Sequence, residues 1–306
     1  MLFGRPAQAE AVFFFRGSVS RILCYGVVGV DYLLKIGQYP ESNGHARVRR
    51  EDITIGGEAA NTAVRLSQLG FQVTLMGNPV GTDSLGRHFL DAISHHEVDC
   101  LVETTEGTTG HAYVVSDAEG SRTIFGAFGE LSGPSVPAGL WSGIDLVTLD
   151  SFVAGAEAIG RLARERNIPV VSIEAAPGSG LAGVSTIVIN SAGFMRRHEA
   201  GDPAEIGEGL LSDGVDTAIV TRGASGADVF TEDGYFHVSP VPVDVVDTTG
   251  AGDGFRAGLI AGILEAFPLQ DSLKLASAVG ALSCCYYGGC GGVVGLEPAL
   301  EAARLA

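Results

Sequence analysis

The run Asp247-Thr-Thr-Gly-Ala-Gly-Asp-Gly-Phe255 sets two carboxylates around three small residues and leads into a helical apolar pattern of Ala257, Leu259, Ile260, Ile263 and Leu264. Small residues at Gly250, Ala251 and Gly252 let a ligand approach the backbone closely. A helix starting there aims its free N–H groups and the positive end of its dipole at that ligand. An anion suits such a place, and Asp253 in the first turn can accept a proton. Phosphoryl transfer to an alcohol needs both parts: donors for the charge spreading over the transferred oxygens, and a carboxylate for the hydroxyl proton. Taken alone, the run equally suits an acid capping a helix after a glycine turn.

A second run changes the balance. Ile55-Gly-Gly-Glu-Ala-Ala-Asn61-Thr-Ala, closing at Leu69-Gly70, lies about 190 residues before the first. The pair resembles the N- and C-terminal signatures of the ribokinase-like (pfkB-type) carbohydrate kinases, in that family's order. Gly81-Thr-Asp-Ser-Leu-Gly86 and Gly120-Ser-Arg-Thr-Ile124 are similar to further family landmarks, and the resemblance covers roughly residues 21–295. It implies an ATP-dependent kinase with Asp253 as general base and Gly250, Ala251 and Gly252 as the hole for the γ-phosphate. Asp31, Gly57 and Asn61 match positions that hold sugar hydroxyls, and carboxylate and amide groups suit that task because each makes several hydrogen bonds. Thr221-Arg-Gly223-Ala-Ser-Gly226 is similar to the family's turn beside the ATP phosphates, and Asn190 matches an asparagine near the nucleotide. Asp247 matches a monovalent-cation ligand, which makes K⁺ a candidate with carbonyls near Gly289; a plain turn residue is the equal alternative.

Two departures limit the resemblance. The family often has glutamate three residues after the asparagine, organising the Mg²⁺–water shell, whereas position 193 is glycine. ATP with Mg²⁺ remains the expected donor. Glu58 stands where lysine or asparagine is common, so it either edges the acceptor pocket or acts as a first-turn helix acid. The acceptor region is most similar to the ketohexokinase, fructokinase and ribokinase members. His45, Arg47, Arg49 and Arg50 could hold a sugar phosphate, but charges discouraging edge pairing are the preferred reading. A nucleoside kinase would use Tyr113, Phe125 and Phe128 to stack a base. A catalytically silent ligand-binding relative is a further alternative. A dinucleotide-binding oxidoreductase fails for want of a Gly-x-Gly-x-x-Gly after the first strand.

These residues must be positioned by alternating strands and helices. The apolar run Ile22–Val30, ending in Asp31, reads as a buried strand. Helices are expected over Glu58–Leu69, Ser84–His95, Ala154–Arg166, Gly250–Ala266 and Ser272–Tyr287. Strands are expected over Phe71–Met76, Ile144–Leu149, Pro169–Ile173, Ser185–Ile189, Thr217–Thr221 and Ala227–Phe230. Such alternation predicts an α/β fold, a three-layer α/β/α ribokinase-like domain with a mostly parallel central sheet. Two segments, near 44–55 and 110–126, show two-residue alternation and predict a small β-sheet lid. The expected organisation is a variable leader over 1–20 and one domain over 21–306. The resemblance adds a homodimer through the lid.

Composition agrees. The 306 residues hold 44 glycines and only 18% charged residues, which suits a compact α/β enzyme with many tight turns. A formal charge of −17 repels nucleic acid and anionic lipid, so neither is an expected partner. The five cysteines, Cys24, Cys100, Cys284, Cys285 and Cys290, lack paired spacing, and free thiols in a reducing cytoplasm account for them. No apolar stretch approaches the roughly twenty residues that span a bilayer.

Overall fold

The apolar run Ile22–Val30, expected as one strand, breaks in two. Strand β1 (Arg21–Gly26) stops where side chains at the ends of two neighbouring strands capture the next two backbone donors. Asp150 Oδ2 accepts the Val27 N–H at 2.7 Å, and Asn78 Oδ1 accepts the Val28 N–H at 3.0 Å. Donors spent on side chains cannot extend a ladder. The chain leaves the sheet and re-forms as β2 (Gly29–Ile36), so Asp31 sits inside a second sheet and not at the mouth of the first.

The structure is a computed structural model that describes residues 19–120, 122–129, 131–197 and 202–304; residues 1–18 of the expected leader, and Ser121 of the Gly120–Ile124 run, lie outside them. After β2 come β3 (Val48–Gly56), α1 (Glu58–Gln68), β4 (Gln72–Gly77), β5 (Val80–Gly81), α2 (Ser84–Ile93), β6 (Val98–Cys100) and β7 (Thr104–Thr105). Then follow β8 (His111–Ser116), β9 (Arg122–Ala127), β10 (Leu146–Asp150), α3 (Ala156–Arg164), β11 (Val170–Ile173) and α4 (Gly180–Val184). The third stretch holds β12 (Ile187–Ser191), α5 (Ala192–Arg197), α6 (Pro203–Ser212), β13 (Thr217–Thr221), β14 (Ala227–Thr231) and β15 (Gly234–Val238). The chain closes with α7 (Ala251–Leu264), α8 (Leu269–Ser283) and α9 (Leu296–Arg304).

The nine-stranded main sheet runs β15-β14-β13-β12-β11-β10-β1-β4-β6. Every pairing from β13 to β6 is parallel, and β14 and β15 add an antiparallel edge. Alternate residues of the central strands feed two cores, as period-two side chains require. Ile22 and Cys24 join Ala63 and Leu66 of α1, Phe89 of α2, Leu259 of α7 and Leu273 of α8. Leu23 and Tyr25 join Ile159 of α3, Phe194 of α5 and Leu210 of α6. The layers are therefore helix, sheet, helix, the three-layer α/β/α arrangement that the alternation predicts. Among the described residues, no helix is long and apolar enough to cross a membrane.

The lid has four strands in the order β3-β2-β8-β9. The segments expected near 44–55 and 110–126 supply three of them, and β2 is the unanticipated fourth. Helix α8 ends at Ser283, short of the expected Tyr287, because the chain enters the glycine-rich stretch Gly288–Gly292. Strand β15 and helix α9 were not foreseen from the apolar pattern; both carry mostly exposed or half-buried residues.

Candidate active site

The two signature runs, far apart in sequence, meet at one hydrogen bond. Asn61 Nδ2 donates to Asp253 Oδ2 at 3.0 Å, joining α1 to α7 across 192 residues. Helix α7 starts after Gly250, whose φ of 76° is left-handed and whose Cβ would fall 2.6 Å from the Gly289 backbone. Glycine is required there on both counts. A Cβ at Gly252 would meet nothing within 4 Å, so the helix start is open to a ligand. The Ala251 N–H already donates to the Thr248 carbonyl at 3.3 Å, leaving Gly252 and Asp253 to supply the orphan N–H groups of the first turn.

The acceptor-side residues gather around that point. Asp31, buried at the centre of the lid, has its carboxylate against Gly56, where a Cβ would lie 2.2 Å from Oδ1. Gly57 opens α1, and its Cβ would strike the Val27 carbonyl, so the room this glycine makes serves the backbone as well as a ligand. Asn61 Oδ1 accepts from Cys290 Sγ at 3.0 Å. Burial pushes Asp253 up to about 6, against the opposing pull of Arg256 and the Asn61 hydrogen bond. Asp31 rises to about 7 through burial and the charges of Asp253 and Asp247. Glu58 rises to about 8 through burial and the charges of Asp150 and Asp253. Raised proton affinity in a carboxylate facing a cleft marks functional sites.

Three residues at this site escaped the sequence reading. Arg256 is fully buried: its Nε donates to Thr62 Oγ1 at 2.8 Å, Nη1 to Asp150 Oδ1 at 2.7 Å and Nη2 to the Glu58 carbonyl at 2.5 Å. Nη2 also reaches Asp253 Oδ1 at 3.4 Å. The available signals were its i,i+3 spacing from Asp253 and a charge placed inside an apolar helical run. Asp150 ends β10 as a lone acid on an apolar strand. Arg122, in the lid, donates through Nη1 to the Thr248 carbonyl at 2.8 Å and to Thr248 Oγ1 at 2.7 Å.

The nucleotide-side residues line the carboxyl ends of β12 and β13. Asn190 is fully buried; its Nδ2 donates to the Ala175 carbonyl at 3.0 Å, while its Oδ1 has no partner. Thr221 Oγ1 donates to the Asn190 carbonyl at 3.4 Å. Gly223 and Gly226 both have positive φ, and the Arg222 N–H to Gly226 carbonyl bond at 2.7 Å closes their turn. Asp247 is buried with Oδ1 accepting from the Thr249 N–H and hydroxyl and Oδ2 from the Gly288 N–H at 3.0 Å. The Gly289 carbonyl accepts from Arg65 Nη2 at 3.2 Å. Among the described residues, no group of three or more His, Cys, Asp or Glu side chains could hold a metal.

The lid aromatics divide between its faces. Tyr113 stacks on Tyr32 at 5.0 Å and pairs across the strands with Phe125; this face lies opposite Asp31. Tyr113 and Phe125 therefore cannot stack a base over the acceptor site, a correction that follows from strand alternation. Phe128 packs against Leu33, Ala112 and Val114 on the inner side. The basic cluster also separates: Arg50 pairs with Asp52 at 2.7 Å and lies 4.2 Å over the Tyr287 ring, while Arg49 lies against Gly37.

A family model described as pfkB family carbohydrate kinase matches residues 20–140 and 165–293. The chain is 32% identical over 279 residues to an ATP-dependent ribose-1-phosphate kinase of Halopiger xanaduensis, covering 86% of this chain and 91% of that one. It is 25% identical to a nucleoside kinase of Methanocaldococcus jannaschii, over 83% of this chain and 87% of the relative. The structure superposes on Arabidopsis thaliana ribokinase complexed with ribose and ATP with a TM-score of 0.77 at 18% identity, covering 94% of this chain and 100% of the other. The Burkholderia thailandensis nucleoside kinase in complex with inosine gives 0.77 at 19% identity, with 94% and 97% covered.

Proposed function

The chain belongs to the pfkB family of carbohydrate kinases, and from that premise we propose that it transfers the γ-phosphate of ATP to a hydroxyl of a sugar, with Asp253 as general base. The observation that carries the assignment is the 3.0 Å contact between Asn61 and Asp253, which brings the acceptor signature against the anion-binding turn. The acceptor hydroxyl lies between Asp31 and Asp253. Asp253 takes its proton as the oxygen attacks the γ-phosphorus. The first-turn N–H groups of α7 at Gly252 and Asp253, with the Gly250–Gly252 turn holding them open, receive the charge on the transferred oxygens.

The triphosphate runs from the turn at Thr221, Gly223 and Gly226, past Asn190, to that helix start. The unpartnered, buried Asn190 Oδ1 fits a water of a Mg²⁺ shell, and Gly193 offers no side-chain oxygen. Mg²⁺ would arrive with ATP, held mainly by phosphate and water oxygens, and would neutralise phosphate charge. Asp247 stands as the monovalent-cation candidate. The five free cysteines suit a reducing cytoplasm.

A second reading makes the acceptor a phosphorylated sugar. Strand register aligns Arg50, Lys35, Ser116 and Arg122 in one row across the lid, on the face that carries Asp31. Three cations in a row are notable in a chain with 19 Lys and Arg against 36 Asp and Glu, and the similarity to a ribose-1-phosphate kinase favours the same acceptor. The outer lid face, with Ile53, Tyr113 and Phe125 exposed, supports a homodimer through the lid.

An ADP-release screen over pentoses, hexoses, sugar phosphates and nucleosides tests these readings. It is run with and without Mg²⁺ and K⁺. Turnover on a neutral sugar, insensitive to Arg122→Ala, supports the first reading; turnover confined to sugar phosphates and lost in Arg122→Ala supports the second. ATP binding with no turnover on any acceptor removes both, and turnover unaffected by chelation removes Mg²⁺. A monomer in sedimentation at working concentration removes the dimer.

A further inference from the structure

Arg256 takes no direct part in the proposed transfer, yet it lies at the centre of the charges around Asp253. Its side chain and that of Asp150 are 1% and 0% exposed, and the two meet at 2.7 Å, whereas Asp253 lies 3.4 Å from the same guanidinium. Each oxygen of Asp253 has one tether, Oδ1 to Arg256 and Oδ2 to Asn61, and keeps lone pairs for an incoming hydroxyl proton. Asp150 Oδ2 is in turn fixed by the Val27 N–H at 2.7 Å, so the assembly joins β10, the β1–β2 turn, α1 and α7.

Two demands on a general base conflict here. A cation beside a carboxylate directs it, but an opposite charge within about 4–6 Å lowers its pKa by about 1–3 units and weakens the base. A guanidinium already matched by another carboxylate directs with less of that loss. We infer that Arg256 and Asp150 form a charge-matched clamp: Arg256 is a positioning residue that orients Asp253, and Asp150 is the counter-ion that preserves the proton affinity of the base. The inference rests on the reading of Asp253 as base and extends it to how that base is held. Asp253 also feels Glu58 and Arg65 from α1, Asp31 from β2, Arg122 from β9 and Cys290 after α8. All of these stay unchanged in the variants below.

The test compares Asp150→Asn, Arg256→Gln and the double variant by the pH profile of kcat/KM and by ¹³C-carboxyl NMR titration of Asp253 in the free enzyme. Asp150→Asn leaves the cation unmatched and moves the acid limb down by about one unit or more. Arg256→Gln leaves two acids facing each other and moves it up. The double variant places it between the two single variants, with kcat still reduced and the KM for ATP unchanged, because charge is balanced but direction is lost; a double variant outside that interval overturns the clamp. Single variants that shift the limb in the same direction, or not at all, overturn the clamp. If Asp150→Asn does not fold, Arg256→Lys carries the comparison: retained charge holds the limb near the parent, while the lost fork lowers kcat. A limb in Arg256→Lys equal to that of Arg256→Gln also overturns it. Retained turnover in Asp253→Asn removes the base assignment, and the NMR titration then still reads the clamp by itself.

Discussion

The acceptor half and the nucleotide half of the site are built by different means. Around Asp253 the chain buries Asp31, Asn61, Asp150 and Arg256, with Glu58 half-buried, and ties them by side-chain bonds. At the ends of β12 and β13 it offers a turn of two glycines and one threonine, with Asn190 beneath. A triphosphate presents the same oxygens whatever it phosphorylates, so backbone donors and space suffice to receive it. An acceptor must be told from near relatives and deprotonated at one hydroxyl, which calls for placed, tuned side chains. The acceptor half should therefore fail when a functional group is lost, and the nucleotide half when the backbone is disturbed.

The largest effect is expected at the acceptor half. Asp253→Asn should lower kcat by about 10³-fold or more while the Kd for ATP, read by calorimetry, changes less than about twofold. A parallel loss of ATP affinity would merge the halves. Next, Gly226→Ala should raise the KM for ATP by about tenfold with little change in kcat, because a Cβ there meets the Val238 carbonyl at 2.1 Å in a left-handed conformation. An unchanged KM would show that the turn takes no part in nucleotide binding.

Stability separates the halves more gently. Glu58, Asp31 and Asp253 hold protons more tightly folded than unfolded. Their contribution is complete below the ordinary carboxylate range and drains away as pH rises through about 6 to about 8. The Tm should fall from pH 5 to pH 8.5, and Glu58→Gln should recover about 2 °C of it at the upper end. A Tm flat over that range would mean that the acids are ionised in the folded protein. The smallest effect is Thr221→Val, which should raise the KM for ATP by about threefold, as the loss of one weak hydrogen bond implies. A tenfold rise would mean that side-chain recognition operates there too.

What the sequence made legible followed the same division. The ends of the apolar runs and the glycine turns located α1, α7, most of the parallel strands and Asp253, because periodicity and turn chemistry are local. The break between β1 and β2 was invisible: Val27 and Val28 look like strand interior, and only Asp150 and Asn78, brought in by the fold, stop the ladder. Arg256 was passed over for a similar reason. Its partners on β10 and α1 are 106 and 194–198 residues away, and nothing in its own neighbourhood shows that they surround it. Tyr113 and Phe125 are base-stacking candidates by composition alone, because composition does not tell which lid face is inward; register does.

The two-residue passage from β1 to β2 bears on how such an enzyme can change its acceptor. The lid strand β2 follows strand β1 of the main sheet after only Val27 and Val28, and the junction is bonded to Asp150, which in turn holds Arg256. Exchanging such a lid between relatives as a cassette is expected to be costly, since a splice at Val27–Val28 that shifts the backbone also shifts the donor holding Asp150. Single replacements on the inner lid face leave that junction untouched and are the expected route to new acceptor preferences. A recombination library cut inside β2 or β3 would lose activity less often than one cut at the junction.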